Sequence, residues 1–582
     1  MDNAEDVRDG LRIRWDVPVL MDDGVVLRAD VFLPLDPGRY PVLLSCGPYA
    51  KGLAFQAGYP SAWRALSTEH PDVTDGSTNR YQNWEVVDPE KWVPLGYAVV
   101  RIDSRGCGRS PGRVDHFSRR EIDDYVNCIE WAGGQAWSDG RVGLSGVSYY
   151  AMNQWLVAAR RPAHLRAVCI WEGASDFYRD ATHHGGILST FWQHWYDKQI
   201  KGVQYGRGTD GPRHPVTGAL VCGDETRTAA QLQAERVDFG REIAEHPWID
   251  DYHRERTADW SAIEVPLLSA GNWGGQGLHL RGNVEGFLAA GSAQKWLEIH
   301  GLEHWTTFYT DYGRDIQVAF FDHFLKDEQN GWDGRRRVQL QVRQVDGGFV
   351  ERFEDEWPLA RTHWRTFTLD AAGRLGEGAT TGSLDFDPSG AGLTFTTAPL
   401  SASTEITGPL CARLWVSTTA PDADLFLVLR VLDPAGEEVT FTAAVDPHGP
   451  ASLGWLRLSH RELNTAASKP YRPVHRHAGP APVQPGEVYP VEVEIWPTSV
   501  VLPTGYRLAL TVRGRDYENE RTAGVTMSNF KNELRGCGPF LHDDPVDRPA
   551  SRLAGVTTVH FGANSPSSLL VPVIPPVDPA AG

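Results

Sequence analysis

The sequence predicts an α/β domain built on a parallel sheet and followed by an all-β sandwich, and three features of the chain carry that prediction. Short continuous apolar runs, PVLLSC (41–46), YAVVRI (97–102), RAVCIW (166–171), VPLLSA (265–270) and QKWLEI (294–299), have the texture of strands buried on both faces. They alternate with stretches whose apolar residues recur at helical spacing, as helices lying on such a sheet require. Past about Arg335 the helical periodicity stops, and short alternating runs such as VQLQVRQV, CARLWVST, VYPVEVEIW and YRLALTVRG take over, punctuated by Gly, Pro and Asp.

Taken in order, Val17 to Met21 and Val25 to Leu33 are split by Asp22-Asp23-Gly24 and read as an entering hairpin. PVLLSC ends at Gly47-Pro48-Tyr49, and a polar, Trp-containing insertion follows. YAVVRI then opens into Asp103-Ser104-Arg105-Gly106-Cys107-Gly108-Arg109-Ser110, where no lysine follows at phosphate-loop spacing, so the glycines read as a turn. Ile122, Val126 and Ile129 share one face of a helix from Arg120 to Trp131. Arg141 to Arg160 reads as strand, tight turn and helix, and RAVCIW ends at Glu172-Gly173. Residues 176–256, rich in His, Trp, Tyr and Gly and without a clear buried strand, read as a helical cap inserted over the sheet. The sheet resumes at VPLLSA, a helix follows around Gly282 to Ala290, and QKWLEI leads into His300-Gly301-Leu302-Glu303-His304 before a closing helix, Arg314 to Phe324. The expected units are a core in two parts, 1–175 and 257–334, the cap at 176–256, and a jelly-roll sandwich at 335–582 that frays after Ile574.

The balance of 75 acidic to 56 basic residues, a net charge of -19 without a long run, argues against a nucleic-acid partner. Seven cysteines, an odd number without paired spacing, read as thiols in a reducing compartment. The polar start MDNAEDVRDGLRIRWD has no apolar core, so neither a signal peptide nor a membrane partner is expected, and the reading is a cytoplasmic protein. His183-His184 and His475-Arg476-His477 lack a carboxylate at ligand spacing, so no metal and no other cofactor is expected.

The chemistry is concentrated at Gly146-Val147-Ser148-Tyr149. A serine at the tip of a strand-turn-helix has its hydroxyl clear of the backbone, and the helix N-terminus behind it favours developing negative charge. Ser148 is therefore the candidate nucleophile. Tyr150 stands where the generic G-x-S-x-G elbow has glycine, and read alone the segment also fits a serine that merely starts a helix.

The order of motifs resembles the cocaine esterase and X-Pro dipeptidyl peptidase group of α/β-hydrolases, the CocE/NonD acyl esterases. Gly146-Val147-Ser148-Tyr149-Tyr150-Ala151 is similar to that group's G-x-S-Y-x-G, with Ala151 in place of the last glycine, which accounts for Tyr150. Asp103-Ser104-Arg105-Gly106 matches the group's D-x-R-G, and Gly47-Pro48-Tyr49 matches the segment whose tyrosine hydroxyl helps to form the oxyanion hole, with the Tyr149 N–H as second donor. Gly408 to Asp433 and Gly486 to Leu510 resemble its C-terminal jelly roll. The resemblance implies an α/β-hydrolase core and places the triad histidine at His304, with His300 as nearest competitor. It also places the triad aspartate in a G-W-x-D segment that here is Gly271-Asn272-Trp273-Gly274-Gly275-Gln276, without a carboxylate. Glu172, closing the strand next to the nucleophile strand, is the proposed replacement acid. Asp176 is the second choice, and the alternative is that Glu172 is a structural carboxylate.

The function expected is a serine hydrolase that cleaves an ester or amide of a small acyl substrate through an acyl-enzyme. An acyltransferase would use the same residues. A catalytically weak binding protein with a degraded triad, or a sandwich acting as a carbohydrate-binding module, is the reading from another class. The sandwich also offers surface for a homodimer.

Overall fold

The computed structural model describes residues 5–378, 380–522, 524–530 and 532–576, so that most of the expected C-terminal tail lies outside the described residues. The hydrolase sheet is built from β1 (Leu11–Leu20), β2 (Val26–Leu33), β3 (Tyr40–Gly47), β4 (Ala98–Asp103), β5 (Ser138–Val147), β6 (Leu165–Trp171), β7 (Leu267–Asn272), β8 (Lys295–His300), β9 (Val338–Gln344) and β10 (Phe349–Glu354). Neighbour pairing gives the order β1-β2-β4-β3-β5-β6-β7-β8-β9-β10, antiparallel at the two edges and parallel from β4 to β9. In the parallel stretch β4, β6 and β7 are apolar runs buried almost throughout, as a sheet covered on both faces demands.

Four helices pack on this sheet: α1 (Arg119–Gly133), α2 (Tyr149–Ala158), α3 (Leu280–Ala289) and α4 (Asp311–Lys326). Ser118 caps α1 by accepting from the Glu121 N–H, and Thr310 caps α4 by accepting from the Gly313 N–H, so both helices start where a side-chain oxygen satisfies an orphan donor. Every residue of α2 is buried, because it lies on β3, β5 and β6 and is flanked by α1 and, through Trp155 against Gly286, by α3.

The 176–256 segment holds short helices at Phe191–Trp195, Ala229–Ala234, Phe239–Glu245 and Asp251–Glu255. It also forms a two-residue ladder, His183–His184 with Ile187–Leu188, that its polar composition did not announce.

The C-terminal strands pair antiparallel around a core of their own. Thr404–Thr418 lies against Tyr489–Leu502, Thr557–Phe561 and Ser568–Ile574, and Asp424–Leu432 lies between Ser452–Arg457 and Arg507–Arg513. The alternation in YPVEVEIW appears directly, with Tyr489, Val491, Val493 and Ile495 buried. The division expected at Arg335 falls in front of a strand shared by both units. β9 pairs with β8 of the hydrolase sheet and also, through Arg343 and Gln344, with Tyr489–Leu502. A strand two-sided in this way carries the alternating texture of either neighbour.

Candidate active site

Ser148 sits at φ 59°, ψ -114°, in the positive-φ region that non-glycine residues seldom adopt, between the end of β5 and the start of α2. Its N–H donates to the Trp171 carbonyl, and its carbonyl accepts from Met152 N–H, so strand and helix both hold the turn. The strain turns the Oγ away from the backbone, as a nucleophile elbow requires. Room for Tyr150 comes from two glycines: a Cβ on Gly47 would lie 2.5 Å from its ring and one on Gly146 would lie 2.4 Å from its Cβ.

The side chain that Ser148 Oγ meets is His279, at 3.1 Å from Nε2. His279 lies at the entrance of α3. Its Nδ1 accepts the N–H of Ala174 at 3.2 Å, and because a backbone N–H can only donate, the ring proton of the neutral histidine stands on Nε2. Burial, and then the charge of His304 nearby, holds His279 well below the usual histidine range, so it is neutral. In this arrangement His279 donates to Ser148 Oγ and has no lone pair to offer it.

His304 stacks on His279, with ring centroids 5.2 Å apart, and makes no hydrogen bond to Ser148 in this state. Its loop is anchored by the His304 N–H donating to Ala444 O of the C-terminal unit. Nδ1 donates to Glu172 Oε2 at 2.7 Å, and Nε2 meets Glu85 Oε1 at 3.1 Å. Burial pushes this imidazole down, but the two carboxylates override it and raise its pKa to about 10.

Glu172 is fully buried at the end of β6. Its other oxygen accepts from Asn272 Nδ2 at 3.2 Å and from His300 Nε2 at 3.1 Å. Burial raises its pKa, yet His304 and His300 outweigh that and bring it down to about 2. His300 is held on its far side by Glu298 at 2.7 Å, so it supports Glu172 and not the serine.

Asp176 is elsewhere engaged. It accepts the Tyr178 and Arg179 N–H groups and pairs with the Arg179 guanidinium at 2.8 Å, which makes it the cap of a helical turn. The structure does not bring it to either histidine. Of the two positions where the acid of G-W-x-D could align, a Cβ on Gly274 would lie 2.6 Å from the Ala443 backbone and one on Gly275 would lie 3.1 Å from the Asn272 carbonyl oxygen, and Ala444 N–H donates to the Gly274 carbonyl. The C-terminal unit therefore fills the space where a side chain at 274 would stand.

Tyr49, which follows β3, accepts the Trp195 indole N–H at 3.0 Å, which leaves its own hydroxyl proton to donate. Tyr149 opens α2, so its N–H has no intrahelical acceptor. The Tyr149 ring points away, with its hydroxyl on Glu121 at 2.6 Å. Ser148, Tyr49, Glu85, His279 and His304 line one narrow cavity, walled by cap residues Phe191 and Trp195 and by Val445, Phe530 and Phe540 of the C-terminal unit. At about 20 Å³ it has room for a water.

Reading the sequence passes over His279 and Glu85. Glu85 belongs to the insertion that looked merely polar, and its one local signal is that a carboxylate stands between Trp84 and Val86. His279 follows a glycine-rich loop after a strand end, the zone where parallel sheets keep their sites.

Comparison with known proteins gives the family of the chain. Residues 23–306 match the family model of the X-Pro dipeptidyl-peptidase (S15 family), and 330–570 match that of the X-Pro dipeptidyl-peptidase C-terminal non-catalytic domain. The structure of a CocE/NonD family hydrolase from Staphylococcus aureus is similar at 30% identity and a TM-score of 0.82, over 97% of this chain and 94% of that one. The cocaine esterase of Rhodococcus sp. (strain MB1 Bresler) is 25% identical over 96% of this chain and 98% of its own. An α-amino acid ester hydrolase, 16% identical with a TM-score of 0.68 over 98% of both chains, shares the fold.

Proposed function

The chain belongs to the CocE/NonD family of hydrolases and is a serine hydrolase, and from that premise we propose that it cleaves an ester or amide of a small acyl substrate through an acyl-enzyme on Ser148. The observation that carries this reading is the strained Ser148 in a narrow cavity beside His304, whose Nδ1 is held by the buried Glu172 at 2.7 Å.

Ser148 Oγ attacks the acyl carbonyl while its proton passes to Nε2 of His304. Glu172 keeps the Nδ1 proton in place and stabilises the imidazolium that forms, the task of a triad acid. The carbonyl electron pair moves onto oxygen, where the Tyr49 hydroxyl and the Tyr149 N–H receive it. His279 donates to Oγ and orients it. The His304 proton then goes to the leaving alcohol or amine, the C–O or C–N bond breaks, and water releases the acid by the same steps reversed.

Treatment with a fluorophosphonate, followed by peptide mass spectrometry, tests the proposal. The adduct is expected on Ser148 in the wild type and lost in Ser148→Ala; wild-type protein that stays unlabelled while a control esterase reacts would refute it.

A further inference from the structure

The role of Glu85 follows from where it stands. Nε2 of His304 is the atom that has to take the serine proton, and in this structure it is occupied by Glu85 Oε1 at 3.1 Å. The second Glu85 oxygen is buried without a hydrogen-bond partner among the described residues, which few buried polar atoms are. Its carbonyl, by contrast, is used structurally, accepting Val147 N–H next to the elbow, and its backbone is at φ 64°. The chain is thus pinned to the nucleophile turn in a conformation that aims the side chain at the base.

The geometry points to Glu85 as a positioning residue that shares one proton with His304 Nε2 and keeps the base occupied until that proton leaves. A hydrogen bond between an imidazole nitrogen and a carboxylate oxygen needs one proton on the line between them, whichever atom carries it. While it is there, Nε2 has no lone pair for Ser148. When it departs to solvent, Nε2 is free, the serine proton moves onto it as Oγ bonds to the acyl carbon, and Glu85 is left anionic facing the new imidazolium. This inference rests on the hydrolase reading above and adds a second carboxylate to it.

The ionisable groups that face Glu85 are His304, Glu172 beyond it, and Tyr49, Tyr59, Tyr150 and Tyr309 around it. All four tyrosines are held well above their ordinary range, chiefly by burial, so they are neutral. His304 is the group among these that can carry positive charge. Burial lifts Glu85 to about 7, against the pull of His304, while the carboxylates lift His304 to about 10, so the proton shared between them leaves above neutral pH and belongs to the pair and not to either residue alone.

The test is the pH dependence of Ser148 labelling by a fluorophosphonate, a rate that needs the base but no particular substrate. Wild-type labelling should rise with pH through a single step whose midpoint lies above the ordinary histidine value of about 6.5. Removing the anion in Glu85→Gln should move that midpoint down by about one pH unit or more, the usual effect of an opposite charge at this range. At one unit below the wild-type midpoint the variant, scaled to its own plateau, then labels several-fold faster. Glu85→Asp, which keeps the charge, should restore the midpoint toward wild type. A shared midpoint for wild type and Glu85→Gln would overturn the role of Glu85 and leave the hydrolase intact, whereas absence of any Ser148 adduct in the wild type would overturn both. If Glu85→Gln does not fold, a wild-type midpoint at or below the ordinary histidine value overturns the proposal by itself.

Discussion

Two histidines compete for Ser148, and replacing each by glutamine separates them. His279 touches Oγ at 3.1 Å, but its Nδ1 is taken by a backbone donor, so its Nε2 can only donate. Glutamine can supply both functions, an oxygen for the Ala174 N–H and an amide N–H for Oγ. A neutral hydrogen bond contributes about 0.5 to 1.5 kcal/mol net, so even its complete loss costs only about two- to thirteen-fold in rate, and His279→Gln should lose less than about ten-fold. His304→Gln removes the group that takes the proton, and general base catalysis supplies about 10² to 10⁴, or roughly 3 to 5 kcal/mol of barrier. It also leaves Glu85 and Glu172 facing a neutral amide, so folding must be checked by thermal unfolding before rates are compared. The assay is kcat/KM for p-nitrophenyl acetate, together with the second-order rate of Ser148 labelling. A loss in His279→Gln as large as that in His304→Gln would refute the reasoning, because it would make His279 the base and the tautomer argument wrong.

Tyr49→Phe removes an oxyanion donor and leaves the Trp195 indole N–H without its acceptor; kcat should fall by about 10² to 10³ with KM little changed, and an unchanged kcat would take Tyr49 out of the oxyanion hole. Gly274→Asp, at one of the two positions where the family's acid could align, should not raise activity and should lower the melting temperature, because its Cβ meets the Ala443 backbone at 2.6 Å; overpacking of this kind costs about 1 to 3 kcal/mol or more. Stability should fall as pH drops from about 6.5 toward 4, because buried histidines between cap and sandwich titrate lower when folded than unfolded. Burial, and then the charge of Arg179, brings His475 down to about 4, and burial followed by the charge of His542 brings His184 down to about 3, so the unfolded chain takes up protons first as pH falls. The shift at His475 alone corresponds to about 3 kcal/mol, and His475→Gln should flatten the melting temperature between pH 7 and pH 4.5.

What the sequence by itself determined is whatever a short stretch encodes. The buried strands follow from continuous apolar runs. The elbow follows from a strand, a tight turn and a helix within Arg141 to Arg160, and the places of Glu172 and His304 follow because both lie just past the C-terminal ends of strands of one parallel sheet, β6 and β8, with β7 between them. The outline of the site, a nucleophile with a histidine and a displaced carboxylate at the C-terminal ends of strands in one parallel sheet, was therefore legible. Tertiary structure decided which atoms meet. His279 reaches Ser148 across 131 positions and Glu85 reaches His304 across 219, and such contacts leave no periodicity to read. The same holds for Gly274, whose missing side chain makes sense only once Ala443 of the C-terminal unit lies against it. Val445, Phe530 and Phe540 become cavity walls for the same reason: burial of the sandwich against the core, and not any local pattern, carries them to the serine.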